Sequence, residues 1–131
     1  MVCSSFAEIG PIDATDARNP RVTAMVMAVD VGTVINPRGL EAQLMGAAMD
    51  GISTILYAGL HIDHGAVRES TFADFRYARQ RQSPLELKIH IMPSDRAPGG
   101  AGELGVPATA AAVANAYARA TGTKPRRFPL I

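Results

Sequence analysis

The residue best placed to do chemistry in this sequence is Glu103, which lies in a loop of unusual composition. Residues 98–107 hold four glycines and two prolines around this one carboxylate. Glycine tolerates backbone angles and close approaches that a Cβ forbids, so the loop presents Glu103 among few other side chains. Pro107 suits the first turn of a helix, which the alanine-rich run after it also favours. A carboxylate here can act as a general base, and the free N–H groups of the helix N-terminus can face a bound anion.

The same loop has a simpler interpretation as a helix-entry turn. Glu103 would then only interact favourably with the dipole of the following helix. Glycine-rich turns are common, and this pattern is not the signature of a phosphate-binding loop. From residue types and spacing alone, the helix-entry interpretation is favoured over the catalytic one.

Two segments of the chain resemble segments of one protein family, and they occur in the same order along the sequence. Residues 99–107, the Ala-Val-Ala-Asn-Ala run after them and the ending at residues 121–130 resemble the C-terminus of a large, molybdopterin-binding subunit. The family is that of xanthine dehydrogenase and aldehyde oxidase, and the isoquinoline 1-oxidoreductase-like branch is the nearest. Val-Asp-Val-Gly-Thr-Val-Ile-Asn-Pro at residues 29–37, followed by Ala-Gln-Leu-Met-Gly at residues 42–46, resembles the same family. Two ordered matches at family-like separation are more specific than either alone.

That resemblance implies a role for Glu103 and a cofactor for the assembled enzyme. In the family, the glutamate of the Gly-Glu pair lies beside the molybdenum of a molybdopterin cofactor and acts as the general base. The reaction oxidises an aldehyde or an N-heterocycle with an oxygen atom derived from water. A general base has to be held within hydrogen-bond reach of the proton that it accepts, and a tight loop can do this. The resemblance thus implies a molybdopterin-dependent oxidoreductase with Glu103 as its catalytic residue.

The resemblance also implies which residues bind the cofactor. Gln43 matches the family's glutamine that bonds the polar edge of the pterin, and an amide can both donate and accept. A helix-capping or surface glutamine is the alternative. Met45 departs from the family pattern, which often has glutamate there. Gly99, Gly100 and Gly102 would let the backbone approach the cofactor, although loop geometry alone also explains them.

The resemblance covers only the last part of a typical family large subunit. The family's other cofactor-binding segments, its apical glutamine and its substrate-pocket arginine cannot be located in these 131 residues. We therefore expect a fragment or one subunit of a split enzyme, whose partners are the remaining large-subunit segment and an iron–sulfur small subunit. We expect the chain alone to bind no cofactor and to form a homo-oligomer. The alternative is a non-catalytic, orphan or truncated domain that folds and oligomerises without cofactor.

Composition narrows the class of protein. A chain of 131 residues with 47% hydrophobic and 19% charged residues predicts one globular domain, residues 1–131. A net charge of +1 argues against attraction to nucleic acid or membranes. Cys3 is the only cysteine, so this chain alone can form neither an intramolecular disulfide nor a cysteine-ligated iron–sulfur cluster. With no transmembrane or secretory pattern we expect a cytoplasmic protein, or a periplasmic one if a partner chain carries an export signal.

The secondary-structure elements expected from the sequence, which have to position these residues, indicate an α+β fold of mostly antiparallel strands with two main helices. Such a fold resembles the C-terminal portion of the molybdenum-cofactor-binding domain. In chain order we expect a strand at 2–9, a polar loop at 13–20, a strand at 22–31 buried on both faces or nearly so, a helix at 38–57, a hairpin at 60–68, a loop or interface segment at 71–81, a half-exposed strand at 85–92 and a helix at 108–120. The first two strands can pair as a hairpin across the polar loop, and Gly122 is the expected cap of the last helix.

Two details of these elements bear on the site. Gly46 and Gly51 each cost the first helix about 1 kcal/mol relative to alanine, which predicts close approach of another backbone or a ligand there. His61, His64 and His90 lack a recognisable metal-ligand spacing, so no metal ligand is predicted.

Overall fold

A computed structural model describes residues 2–11 and 19–131 of the chain. Its elements are β1 (Val2–Pro11), β2 (Pro20–Asp30), α1 (Pro37–Leu56), β3 (Ile62–Asp63), β4 (Ala66–Val67), a 3₁₀ turn (Gln80–Gln82), β5 (Glu86–Ile91) and α2 (Gly105–Thr121). Each predicted strand, hairpin and helix has its counterpart here. The predicted loop at 13–20 lies mostly outside the described residues.

The main sheet has three strands in the order β1-β2-β5, so β2 is central. β1 and β2 pair antiparallel, in agreement with a hairpin of the first two strands, and β3 and β4 form the separate antiparallel pair expected at 60–68. β5 instead runs parallel to β2. Between β2 and β5 the chain passes through α1, which is the kind of crossover that parallel pairing needs. The α+β class is confirmed, with one parallel ladder where antiparallel strands were expected.

A β-bulge decides which side chains of β2 face the core. Ile9 pairs with Val22 and Glu8 with Ala24, so Thr23 is an extra residue in β2. The bulge moves the buried positions from even to odd numbers along the strand. Val22, Met25, Met27 and Val29 are consequently all buried on one face, whereas Val26 on the other face is 36% exposed. The other face of β2 is half-buried apart from Val26, so β2 is fully buried on one face only.

Both helices have local sequence signals at their ends. The Asn36 side chain accepts a hydrogen bond from the Gly39 N–H at 3.0 Å, and Pro37 fits the first helical position of α1. α2 begins at Gly105, so Pro107 lies within its first turn. Gly122 ends α2 with φ +71°, and its N–H bonds to the carbonyl of Ala118, which confirms the predicted cap.

The two helices touch each other at glycines. A Cβ on Gly51 would lie 2.7 Å from the Cβ of Thr109 and 2.9 Å from the carbonyl oxygen of Val106. A Cβ on Gly105 would lie 2.9 Å from the Cβ of Ala47. The close approach predicted for Gly51 is confirmed, with α2 as the neighbouring backbone. α2 packs against β1, β2 and α1, α1 also packs against β5, and buried side chains of β2 and of both helices form one core cluster.

No helix in the described ranges is long and apolar enough to cross a membrane.

Candidate functional site

A cavity of about 620 Å³ lies between the middle of α1 and the N-terminal end of α2. Gln43, Gly46 and Asp50 line it from α1, and Gly102 and Glu103 line it from the loop before α2. The α1 residues are spaced by three and four positions, so they share one face of the helix. The structure thus brings together two segments that the sequence analysis singled out separately.

One hydrogen bond joins the two walls of this cavity. The amide nitrogen Nε2 of Gln43 donates to the carbonyl oxygen of Gly102 at 2.6 Å, across 59 residues of sequence. Gln43 is therefore not a helix-capping residue, because its partner lies in the glycine loop. Its side chain is exposed, which agrees with the alternative of a surface glutamine. The bond fixes the loop one residue before Glu103 and leaves the carbonyl oxygen of the Gln43 amide available to a ligand.

Glu103 stands at the entrance of α2 with an exposed side chain that lines the cavity. Its carbonyl oxygen accepts a hydrogen bond from the Val106 N–H at 3.1 Å, which begins the helical turn. The carboxylate is therefore presented to the cavity from a fixed backbone. The geometry suits both proton transfer and a favourable interaction with the N-terminus of α2.

The other two predicted glycines lie apart from the cavity wall. The Gly99 N–H donates to the carbonyl oxygen of Val31 at 2.7 Å, which ties the start of the loop to the end of β2. A Cβ on Gly100 would meet nothing within 4 Å, and the same holds for Gly102 and for Gly46. Gly46 and Gly102 therefore offer backbone to the cavity that no side chain covers.

Asp50 is a cavity residue that the sequence analysis missed. The Tyr77 hydroxyl donates a hydrogen bond to the Oδ1 of Asp50. The segment before the 3₁₀ turn, which contains Tyr77, is thus in direct contact with the cavity wall. The pKa of Tyr77 is raised, first by burial and then by this bond to a carboxylate. The signal was present in the sequence, since Asp50 lies seven positions after Gln43 on the same helical face.

The histidines near the hairpin serve local structure. His61 donates to Glu69 from its backbone N–H at 2.8 Å, and its Nδ1 lies 2.6 Å from the same carboxylate. These bonds lower the pKa of Glu69 to about 2, the backbone bond most strongly. His64 pairs with Asp63 at 2.7 Å. Within residues 2–11 and 19–131, no three histidine, cysteine or acidic residues cluster as a metal site would require.

Comparison with known proteins places the chain in a family. Residues 14–84 match the model of the molybdopterin cofactor-binding domain, a range that includes Gln43 and ends before Glu103. The chain belongs to this family. The β subunit of isoquinoline 1-oxidoreductase from Brevundimonas diminuta is 33% identical over 109 residues, which are 83% of this chain and 14% of that protein. This relative confirms the resemblance found in the sequence.

Two further relatives agree. The molybdenum-binding subunit PaoC of aldehyde oxidoreductase from Escherichia coli K12 is 29% identical and covers 95% of this chain and 18% of that protein. The crystal structure of quinoline 2-oxidoreductase from Pseudomonas putida 86 superposes with a TM-score of 0.73 at 27% identity, over 85% of this chain and 15% of that one. The chain therefore spans less than a fifth of the length of these proteins.

The cavity suits part of a molybdopterin. Its volume of about 620 Å³ lies within the range of small-molecule sites, which is roughly 300–1,000 Å³. Gln43 supplies an amide, and Gly46 and Gly102 supply uncovered backbone against which a flat ring can lie. The carbonyl oxygen of the Gln43 amide is compatible with the polar edge of a pterin.

Proposed function

We propose that this chain supplies the glutamate-bearing part of the active site of a molybdenum hydroxylase that oxidises aldehydes or N-heterocycles. The observation that carries the proposal is the Gln43–Gly102 hydrogen bond, which puts an amide suited to the cofactor and the Glu103 carboxylate at one cavity. Membership of the molybdopterin cofactor-binding family supports it. The printed names of the relatives, an isoquinoline oxidoreductase and an aldehyde oxidoreductase, support the substrate class.

Each proposed residue has a physical task. Gln43 would bond the polar edge of the molybdopterin, and the backbone at Gly102 would allow the cofactor to come close inside the cavity. Gly99 and Gly100 would do the same for a part of the cofactor that extends beyond the cavity wall. The bound cofactor supplies the redox chemistry, while the protein orients and tunes it. Glu103 is the general base, which takes a proton from the water that provides the oxygen atom. The carboxylate can do so because it lines the cavity from a loop fixed on both sides.

The proposal requires other polypeptide segments. The relatives are described as subunits, and this chain spans 14% of the isoquinoline enzyme's β subunit, so the remaining large-subunit residues would close the cavity. An iron–sulfur small subunit would carry electrons away, and we propose a cytoplasmic enzyme. Without these partners, we propose that the chain forms a homo-oligomer. Leu85 and Met92, which flank β5, are 79% and 48% exposed and are candidates for that contact.

The test compares two substitutions in the large subunit assembled from this chain and its remaining segment. Glu103→Gln keeps the size and hydrogen bonding of the side chain but cannot take a proton. We expect turnover of an aromatic aldehyde or N-heterocycle to fall by about 10²–10⁴-fold at equal molybdenum content. Glu41→Gln, an exposed residue of α1 that does not line the cavity, is the matched control. Unchanged turnover for Glu103→Gln, with a lowered melting temperature, would leave Glu103 as a helix-entry residue.

A further inference from the structure

The glycine loop begins at a junction with the end of β2. The junction consists of residues 30–33, which begin with the last residue of β2, and residues 96–99, which lead into the loop. The Arg96 guanidinium donates to Oδ2 of Asp30, and the Gly32 N–H donates to Oδ1 of the same carboxylate at 3.1 Å. One carboxylate therefore bonds both a side chain from the second segment and the backbone of the first.

Backbone contacts complete the junction. The N–H and the hydroxyl of Thr33 both donate to the carbonyl oxygen of Arg96, each at 2.8 Å. Gly32 has φ +78°, and a Cβ there would lie 2.2 Å from the carbonyl oxygen of Ala97. Only glycine allows the two segments to come this close. The Gly99 N–H then reaches the carbonyl oxygen of Val31 at 2.7 Å.

The junction is the first of three points that hold the loop around Glu103. The second is the Gln43 bond to Gly102. The third is Gly105, which packs so closely on Ala47 that a Cβ would lie 2.9 Å from its methyl carbon. Glu103 lies between the second and third points. The position of the junction sets the direction in which the loop runs towards those two points.

We propose that Asp30 and Arg96 are positioning residues that hold the Glu103 loop in its working place. The inference rests on the proposed function of Glu103. The remaining junction bonds use backbone atoms, Thr33 or the other oxygen of the Asp30 carboxylate. The Arg96 side chain contributes the ion pair with Asp30 and a bond from its Nε to the Ser94 hydroxyl at 3.3 Å, so a substitution of Arg96 removes the ion pair and leaves the other junction bonds in place. The two side chains are partly exposed, at 29% and 55%, and exposed ion pairs contribute little to global stability. Loss of the pair therefore loosens the loop without unfolding the chain.

The experiment uses the assembled, molybdenum-loaded enzyme with Arg96→Gln. We expect faster amide hydrogen exchange at Thr33 and Gly99, a kcat that is roughly 10–100-fold lower, and an unchanged KM and molybdenum content. Arg96→Lys, which keeps a positive charge, restores most of the kcat and the protection. Lys88→Gln breaks an exposed ion pair with Glu86 on β5 and is the control that changes neither readout.

The Glu103→Gln variant separates the two proposals. If it leaves turnover unchanged, the proposed function fails, while exchange at Thr33 and Gly99 still reports on the junction. If Glu103→Gln lowers turnover but Arg96→Gln changes neither exchange nor kcat, the positioning role is overturned. A uniform rise in exchange over the whole sheet in Arg96→Gln would also overturn it, since that result means a general structural role.

Discussion

Alanine substitution at two glycines of α1 should have different effects on the stability of the chain. Gly46 and Gly51 both lie inside the helix, where glycine costs about 1 kcal/mol relative to alanine. A Cβ at position 46 meets nothing within 4 Å, so Gly46→Ala should stabilise the chain by about 1 kcal/mol. A Cβ at position 51 would lie 2.7 Å from Thr109 and 2.9 Å from the backbone oxygen of Val106.

The magnitude for Gly51→Ala follows from this contact. The backbone of α2 cannot turn aside as a flexible side chain can, so the helices must separate. Overpacking of this kind costs about 1–3 kcal/mol. The gain in helix propensity is common to both variants, so the difference between their unfolding free energies equals the overpacking cost. We therefore expect Gly51→Ala to be less stable than Gly46→Ala by about 1–3 kcal/mol.

The assay is urea denaturation of the chain, monitored by circular dichroism. The protein concentration is kept the same for both variants, because self-association would raise the apparent stability. Equal slopes for the two variants show that the comparison concerns the native state. If Gly51→Ala is as stable as Gly46→Ala, then α1 and α2 do not meet at these glycines. The cavity between them would then lose its structural basis too.

Two further predictions concern the ends of elements. Asn36→Ala should lower the unfolding free energy by about 0.5–2 kcal/mol in the same denaturation assay, because the Gly39 N–H loses its side-chain acceptor. The control is Asn115→Ala, at an exposed position of α2. Equal losses in the two variants would contradict a capping role for Asn36. The pKa of Glu69 is lowered from 4.5 to about 2 by His61, so its stabilising effect is present above the unfolded-state value and lost as pH falls towards 2. Glu69→Gln should therefore flatten the decline in stability between those pH values, and an unchanged acid profile would refute the pairing.

Local patterns in the sequence were sufficient to predict most elements. The alternation of residues 85–92 predicted β5, and the alanine-rich run with Gly122 after it predicted α2 and its cap. Alternation carries no information about strand direction, so the parallel pairing of β5 with β2 could not be predicted. The bulge at Thr23 could not be predicted from the sequence either, because it depends on the register of β2 against β1.

For the candidate site as well, the sequence indicated single residues but not the contacts between distant segments. Gln43 and Glu103 were identified by resemblance, and the structure adds the hydrogen bond that brings their segments together. Asp50 could have been found from helical spacing. The Asp30–Arg96 pair spans 66 residues and exists only because β2 and β5 end side by side, so no local pattern indicates it.

The parallel pairing of β2 with β5 also imposes an order on folding. α1 and the β1–β2 hairpin close short loops and can form early, whereas β5 must return across the whole segment from residue 31 to residue 85. The residues that lead to Glu103 directly follow β5, so the loop has no fixed place until that strand has joined the sheet. The proposed cofactor site, which needs both Gln43 and Glu103, can consequently form only after β5 has joined the sheet.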